Sequence, residues 1–129
     1  MKSKEELYHI SGTILDACIT VHREMGPGLL ESIYVLCLCR ELIERGLKVQ
    51  REISIPPYYK GKELSKDLRI DIIVEDEVIL EIKAVDLMHP VYEAQIISYL
   101  KLTNKRLGFL INFNVPLLKL GFKRYVNKF

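Results

Sequence analysis

A mixed sheet flanked by helices, in the α/β class, is the architecture this chain predicts. Three observations predict it. Apolar residues recur every three or four positions over residues 4–45 and again over 89–103, which is the period of a helix. Between and after these stretches, alternating or continuous apolar runs of strand length occupy 49–55, 67–75, 78–85 and 107–113. Helices placed before and among the strands favour one sheet with helices on its faces.

In chain order, the first helix covers residues 4–24. Leu7, Ile10, Ile14, Cys18, Val21 and Met25 form its apolar stripe, and Gly26-Pro27-Gly28 ends it. A second helix runs from about Leu29 to Arg45, with Leu30, Ile33, Tyr34, Cys37, Leu38 and Leu42 on its buried side and Gly46 as its stop. The period then changes to two at Val49, Arg51, Ile53 and Ile55, and Pro56-Pro57 breaks that strand. Tyr58 to Glu63 reads as a short strand with a turn at Gly61. Strands 67–75 and 78–85 flank a tight Glu75-Asp76-Glu77 turn. His89 to Thr103 is a third helix, with Tyr92, Ile96, Tyr99 and Leu100 facing the core. Its position suits a right-handed crossover between the 78–85 strand and a parallel strand at Leu107 to Phe113. Leu120 to Val126 adds a last strand, giving the order α-α-β-β-β-β-α-β-β.

The chain has 129 residues, 49% of them apolar and 28% charged, which suits one globular domain over 1–129. No apolar run reaches the roughly 18 residues of a membrane span, so no membrane partner is expected, and the charged start is not read as a signal peptide. Cys18, Cys37 and Cys39 lack the spacing of a zinc site. Their odd number and helical, apolar context suggest reduced core thiols in a cytoplasmic protein. Net charge is only +2, but residues 94–129 hold seven basic residues and no acid, while 1–93 hold 12 basic and 17 acidic ones. A basic C-terminal third is compatible with a polyanionic partner.

Charges inside the two central strands are the main clue to chemistry. Asp71 interrupts Leu68–Val74, and Glu81 and Lys83 interrupt Val78–Val85. A buried unpaired charge costs several kcal/mol, so such residues hold a metal, hold each other or do chemistry. If the hairpin turn centres on Asp76, residues whose numbers sum to 152 face each other, which places Asp71 opposite Glu81. Glu81 and Lys83 share a face, about 6.5–7 Å apart along the strand. Two carboxylates and an ammonium on one face suit a hard divalent cation and phosphoryl chemistry. The alternatives are a structural ion cluster of Lys83 with either acid, or a register shifted by one that turns the charges to solvent. Glu31 lies near the apolar side of the second helix and could add a third carboxylate, or could simply favour the helix dipole. Gln95 and Tyr99 are one turn apart in the third helix and could contact phosphate. His22 is a possible acid–base or phosphate contact or a structural residue.

Asp71…Glu81-Ile82-Lys83 resembles the signature of the PD-(D/E)XK nuclease superfamily, and Gln95-x3-Tyr99 resembles the helix motif of its exonuclease-like branch. Gly28-Leu-Leu-Glu31-Ser-Ile-Tyr34 is similar to the motif that names the small GxxExxY proteins, and Tyr59-Lys60-Gly61, Arg69-Ile-Asp71 and Leu110-Ile-Asn112-Phe113 also match. The resemblance spans roughly residues 7–126. It lacks only the Pro before Asp71, which the superfamily often lacks. It implies a three-layer restriction-endonuclease-like core. It also implies Mg2+ or Mn2+ held by Asp71, Glu81, the Ile82 carbonyl and Glu31, catalysis by Lys83, and Gln95 and Tyr99 lining the site. The expected function is metal-dependent hydrolysis of phosphodiesters in nucleic acid, DNA favoured over RNA, with Tyr99, Lys101, Lys119, Lys123 and Arg124 contacting the polymer and His22 and Tyr34 as further candidates. The competing readings are a nucleic-acid-binding module without turnover and a protein-interaction domain, such as a homodimer, on the same fold.

Overall fold

Helix α1 (Lys4–Met25) starts at a reciprocal cap. Glu6 N donates to Ser3 Oγ and Ser3 N donates to Glu6 Oε1, each at 3.1 Å. The computed structural model describes residues 1–129. Gly26, at φ 69°, ends α1 in a conformation other residues resist. Helix α2 (Glu31–Glu44) has no side-chain cap. Tyr34 does that work instead: its hydroxyl accepts from Leu29 N at 3.1 Å and donates to the Gly26 carbonyl at 2.5 Å, clamping the α1–α2 connection. The Tyr34 ring stacks on Phe113 at 4.6 Å, so the clamp is anchored in the core.

Strand β1 (Val49–Ile55) leads through a small hairpin, β2 (Tyr58–Tyr59) and β3 (Lys62–Glu63), to β4 (Leu68–Val74). Strand β5 (Val78–Lys83), helix α3 (Pro90–Thr103), strand β6 (Leu107–Asn112), a 3-10 turn (Leu118–Gly121) and β7 (Phe122–Val126) complete the chain. The five-stranded sheet runs β1-β4-β5-β6-β7 and is antiparallel except for the parallel β5–β6 pair, which α3 bridges. This is the mixed sheet between helices that the sequence predicts. The 58–63 segment, expected as one strand, is two short ones, and the last strand begins only after the 3-10 turn.

The main core lies between the sheet and the α1/α2 pair, around Leu7, Ile14, Leu38, Leu80, Phe109 and Phe113. A smaller one forms under α3 from Ile70, Ile73, Ile79 and Leu100. Gly108 lets α3 approach, because a side chain there would meet Ile96 and Leu100 at 3.2–3.3 Å. Three helical positions differ from expectation. Leu30, read as buried, is 72% exposed because it is the residue before α2 begins, and Met25 and Ile33 are exposed at the two helix ends that flank the α1–α2 connection.

Strand β5 ends at Lys83, earlier than predicted, because Asn112 captures the next residues. Asn112 Oδ1 accepts from Val85 N at 3.1 Å, and its Nδ2 donates to the Val85 carbonyl at 2.9 Å. Gly121 lies against the Asn112 backbone: a Cβ added there would fall 2.1 Å from the Asn112 carbonyl oxygen. Gly121→Ala should therefore lower stability by about 3 kcal/mol in urea unfolding, the upper range of overpacking. Gly12→Ala, in the exposed middle of α1 with nothing within 4 Å, should raise it by about 1 kcal/mol. Equal effects at the two positions would contradict this packing.

Candidate active site

The β4–β5 ladder has the predicted register. Val74 pairs with Val78, Ile73 with Ile79 and Ile72 with Leu80. The turn holds Glu75 and Asp76 at φ 53° and 58°, as hairpin turns of the primed types require. The next rung would join Asp71 to Glu81, and it does not form. There the strands part, and Asp71 Oδ2 accepts from the Ile82 amide at 2.8 Å. A side-chain carboxylate thus satisfies a buried amide that the ladder leaves open.

The same rung is missing on the other side of β4. Strand β1 pairs with β4 from Val49 to Arg51 and from Ile53 to Ile55, but not at Glu52, which has φ 51°. Side-chain alternation slips here. Ile72 and Val74 join the α1/α2 core, yet Ile70 joins the cluster under α3. Asp71 sits at the slip, half-buried, where its charge reaches Glu81 and Tyr99 on one side and Cys39 on the other.

Glu81 is only 5% exposed, and its Oε1 has no hydrogen-bond partner. Burial, then the neighbouring Asp71 charge, push its carboxyl up to about 9, against a smaller opposing pull from Lys83. Lys83 makes no ion pair. Its Nζ lies 4.5 Å from the centre of the Tyr92 ring, a cation–π contact. The ion pairs of the fold involve other residues: Lys2–Glu75, Arg40–Glu44, Arg45–Asp16, Arg45–Glu41, Lys48–Asp76 and Arg69–Glu52. A structural ion cluster of Lys83 with either acid is therefore not what the fold adopts. From α3, Gln95 Nε2 donates to the Tyr99 hydroxyl at 3.0 Å, and burial followed by the Glu81 charge raises the Tyr99 phenol above its ordinary range.

Glu31 is exposed in the first turn of α2 and lines a cavity of about 400 Å3 with Ser32, Val35, Arg51, Glu52 and Asp71. Glu81 is not among the lining residues. Asp71 therefore separates two acidic groups, Glu31 and Glu52 on the α2 side and Glu81 on the α3 side. No three His, Cys, Asp or Glu side chains converge closely enough to form a ready-made cage. The donors still fit a hard cation such as Mg2+, which is commonly held by one or two carboxylates with substrate phosphate completing the set. The partnerless buried oxygen of Glu81 is the observation that supports the fit.

The remaining candidates are dispersed. Lys123, on β7, pairs with Leu110, which pairs with Glu81 on β5, so it lies in the same row two strands away. Arg124 projects from the opposite face, over the rings of Tyr8 and Phe129. Lys119 borders a separate cavity with Ile19, His22, Arg23 and Leu117. Lys101 is exposed in the last turn of α3, and Lys105 just beyond the helix donates from Nζ to the Asp76 carbonyl. His22 Nε2 bonds the Val115 carbonyl at 2.8 Å, and Tyr34 clamps α2; both serve the scaffold. Asn112 is a positioning residue not expected from the sequence, although a polar side chain closing a buried run is the same signal that marks Asp71. Arg51 and Glu52 beside the site carry no such signal, because the insertion between β1 and β4 leaves their register unset by any tight turn.

Helices around a mixed sheet whose central ladder opens onto an aspartate, a buried glutamate and an uncommitted lysine define a restriction-endonuclease-like α/β core. A family model described as the PD-(D/E)XK nuclease superfamily matches residues 8–125, and the chain belongs to that superfamily. No curated protein and no solved structure matches it. Membership implies a nuclease-like function and a nucleic-acid substrate, and nucleases of this superfamily generally use divalent metals. No helix is long and apolar enough to cross a membrane.

Glu81 makes stability depend on pH. In the unfolded chain it titrates near its ordinary 4.5, whereas the folded carboxyl keeps its proton to about 9. The native state thus holds the extra proton between these values, and its contribution to stability is full below pH 4.5 and lost as pH rises towards 9. In metal-free protein, Glu81→Gln should match wild type near pH 4.5 and gain on it by about 1.4 kcal/mol per pH unit between pH 5 and 8. Urea titrations across that range that keep a constant difference would show the carboxyl ionised throughout.

Proposed function

We propose that the protein is a metal-dependent nuclease that hydrolyses phosphodiester bonds, acting on DNA in preference to RNA, and that it is one of the small GxxExxY members of the superfamily. The observation that carries this reading is the opened rung. Asp71 replaces a ladder partner of Ile82, directly beside a buried, partnerless Glu81 oxygen, with Lys83 on the same strand and free of ion pairs.

On this reading Asp71, Glu81 and the Ile82 carbonyl would hold Mg2+ or Mn2+, and Glu31 would add a carboxylate from the α2 side. A bound divalent ion supplies Lewis-acid polarisation of a phosphoryl oxygen and makes an attacking water more acidic. Asp71 fixes the β5 backbone at Ile82 and orients that carbonyl. Glu81 would hold the ion as a carboxylate, so it would have to lose its proton first, and metal affinity should rise with pH. Lys83 moves from the Tyr92 ring to the incoming phosphate and stabilises the negative charge that grows there during displacement. Gln95 and Tyr99, already joined, present an amide and a phenol to the same phosphate from α3. Lys123 extends positive charge along the sheet face; Lys101, Lys119 and Arg124 contribute a diffuse field around it.

Cleavage of labelled single-stranded and duplex DNA with Mg2+ or Mn2+ tests the assignment. Asp71→Ala and Lys83→Ala should each lower the rate by at least about 100-fold, and calorimetry should show Mn2+ binding lost in Glu81→Ala. Undiminished turnover in both of the first two variants would remove these residues from the mechanism. Salt-sensitive binding by wild type with no cleavage in either metal would favour a binding module without turnover.

A further inference from the structure

The chain between β1 and β4 folds into a separate two-stranded hairpin that the proposed chemistry does not use. Tyr58 pairs with Glu63 and Tyr59 with Lys62, around a two-residue turn of Lys60 and Gly61 at φ 51° and 79°. The turn is of the kind that favours Asn-Gly, yet its first position is a lysine, a residue that resists left-handed φ. Both tyrosines are largely exposed, at 59% and 63%, which is unusual for a ring of this size that no core covers.

Their surroundings differ. The Tyr58 hydroxyl faces Glu63 at 3.3 Å. Tyr59 has lysines about it: Lys62 is its cross-strand partner, and Lys60 Nζ lies 5.4 Å from its ring centre. Lys66 and Arg69 follow, so residues 58–69 carry four basic and two acidic side chains within the otherwise acidic half of the chain. An exposed aromatic ring with one lysine ammonium near it and a second lysine paired with it across the strands joins a stacking surface to phosphate contacts, the combination that holds unpaired nucleotides.

The hairpin is also well placed. It leaves β1 after Ile55 and rejoins the sheet at Leu68, and these two residues pair with each other. Asp71 is three residues further along β4, about 10 Å at strand rise. The hairpin thus stands at the end of the sheet where the β4–β5 ladder opens.

We infer that the β2–β3 hairpin is a docking element for single-stranded nucleic acid, with Tyr59 stacking on an unpaired base and Lys60 and Lys62 holding adjacent phosphates. This rests on the nuclease reading for its biological sense and gives it a substrate class: strands, ends or flaps with unpaired bases beside the scissile bond. A fully paired duplex buries its base faces everywhere but at its two ends and leaves Tyr59 little to stack on.

Fluorescence anisotropy with a labelled single-stranded 20-mer and the matching blunt duplex, in EDTA so that no cleavage occurs, tests the inference independently of turnover. Tyr59→Ala should weaken single-strand binding by about 5- to 150-fold, Tyr59→Phe should restore it, and duplex binding should hold. Lys60→Gln combined with Lys62→Gln should reduce the slope of log affinity against log salt by about 1.4 on the single strand. Single-strand binding unchanged in Tyr59→Ala overturns the inference, whether or not wild type cleaves DNA when metal is restored. An equal loss on strand and duplex also overturns it, since that is the mark of a scaffold or charge effect. Cleavage absent in wild type with Tyr59-dependent binding intact would sink the nuclease reading and leave the hairpin assignment standing.

Discussion

A backbone amide in the middle of a sheet must find an acceptor, and the Ile82 amide would lose its own if β4 and β5 simply parted. Asp71 supplies the acceptor from its side chain. The two strands can therefore separate without a buried donor being stranded, and the separation leaves room beside Glu81. What remains unsatisfied is an acceptor, Glu81 Oε1, and an unpaired carboxyl oxygen is the group a cation would answer. The slip at Glu52 on the outer strand belongs to the same distortion, because Glu52 and Asp71 are the rung missing from the β1–β4 ladder.

The rest of the molecule holds that opening in place. Asn112 ties down the chain that leaves β5, and the 3-10 turn packs against Asn112 so closely that only glycine fits at 121. Tyr34 and Phe113 fix the start of α2, where Glu31 looks onto the cavity beside Asp71. Helix α3 reaches the sheet over Gly108 and brings Tyr92, Gln95 and Tyr99 over its other face. Rigid packing thus surrounds a central pair of acids that is itself under electrostatic tension.

Local rules made much of this readable before any coordinates. The tight turn after Val74 determined the hairpin register from Ile72 to Leu80, and Asp71 and Glu81, expected to face each other at the next rung, stand where pairing stops. Helix periods located α1, α2 and α3 to within a few residues. Features that depend on tertiary geometry were out of reach. The opened rung is a failure of pairing, and a register rule assumes pairing. Leu30 and Ile33 follow a helical stripe but sit at the exposed start of α2. Lys83 finds Tyr92 only through the crossover of α3, and Glu52 meets Asp71 only after a 12-residue excursion between Ile55 and Leu68. The basic C-terminal third looks like one surface in the sequence, yet strand alternation sends Lys123 and Arg124 to opposite faces.

Strands β1 and β7 close the sheet on either side, and each has one row of amides and carbonyls with no neighbouring strand. Exposed rows of that kind invite other chains to add on and grow. The exposed residues of β7 include Lys123 and Arg124, so like charges meet when two copies align that border, whereas β1 carries Arg51 beside Glu52 and has no such single-sign guard. Lys123 and Arg124 thereby disfavour pairing of β7 with a second copy. Neutralising them to probe binding would remove that protection at the same time, and an apparent loss of affinity could then reflect protein withdrawn into aggregates.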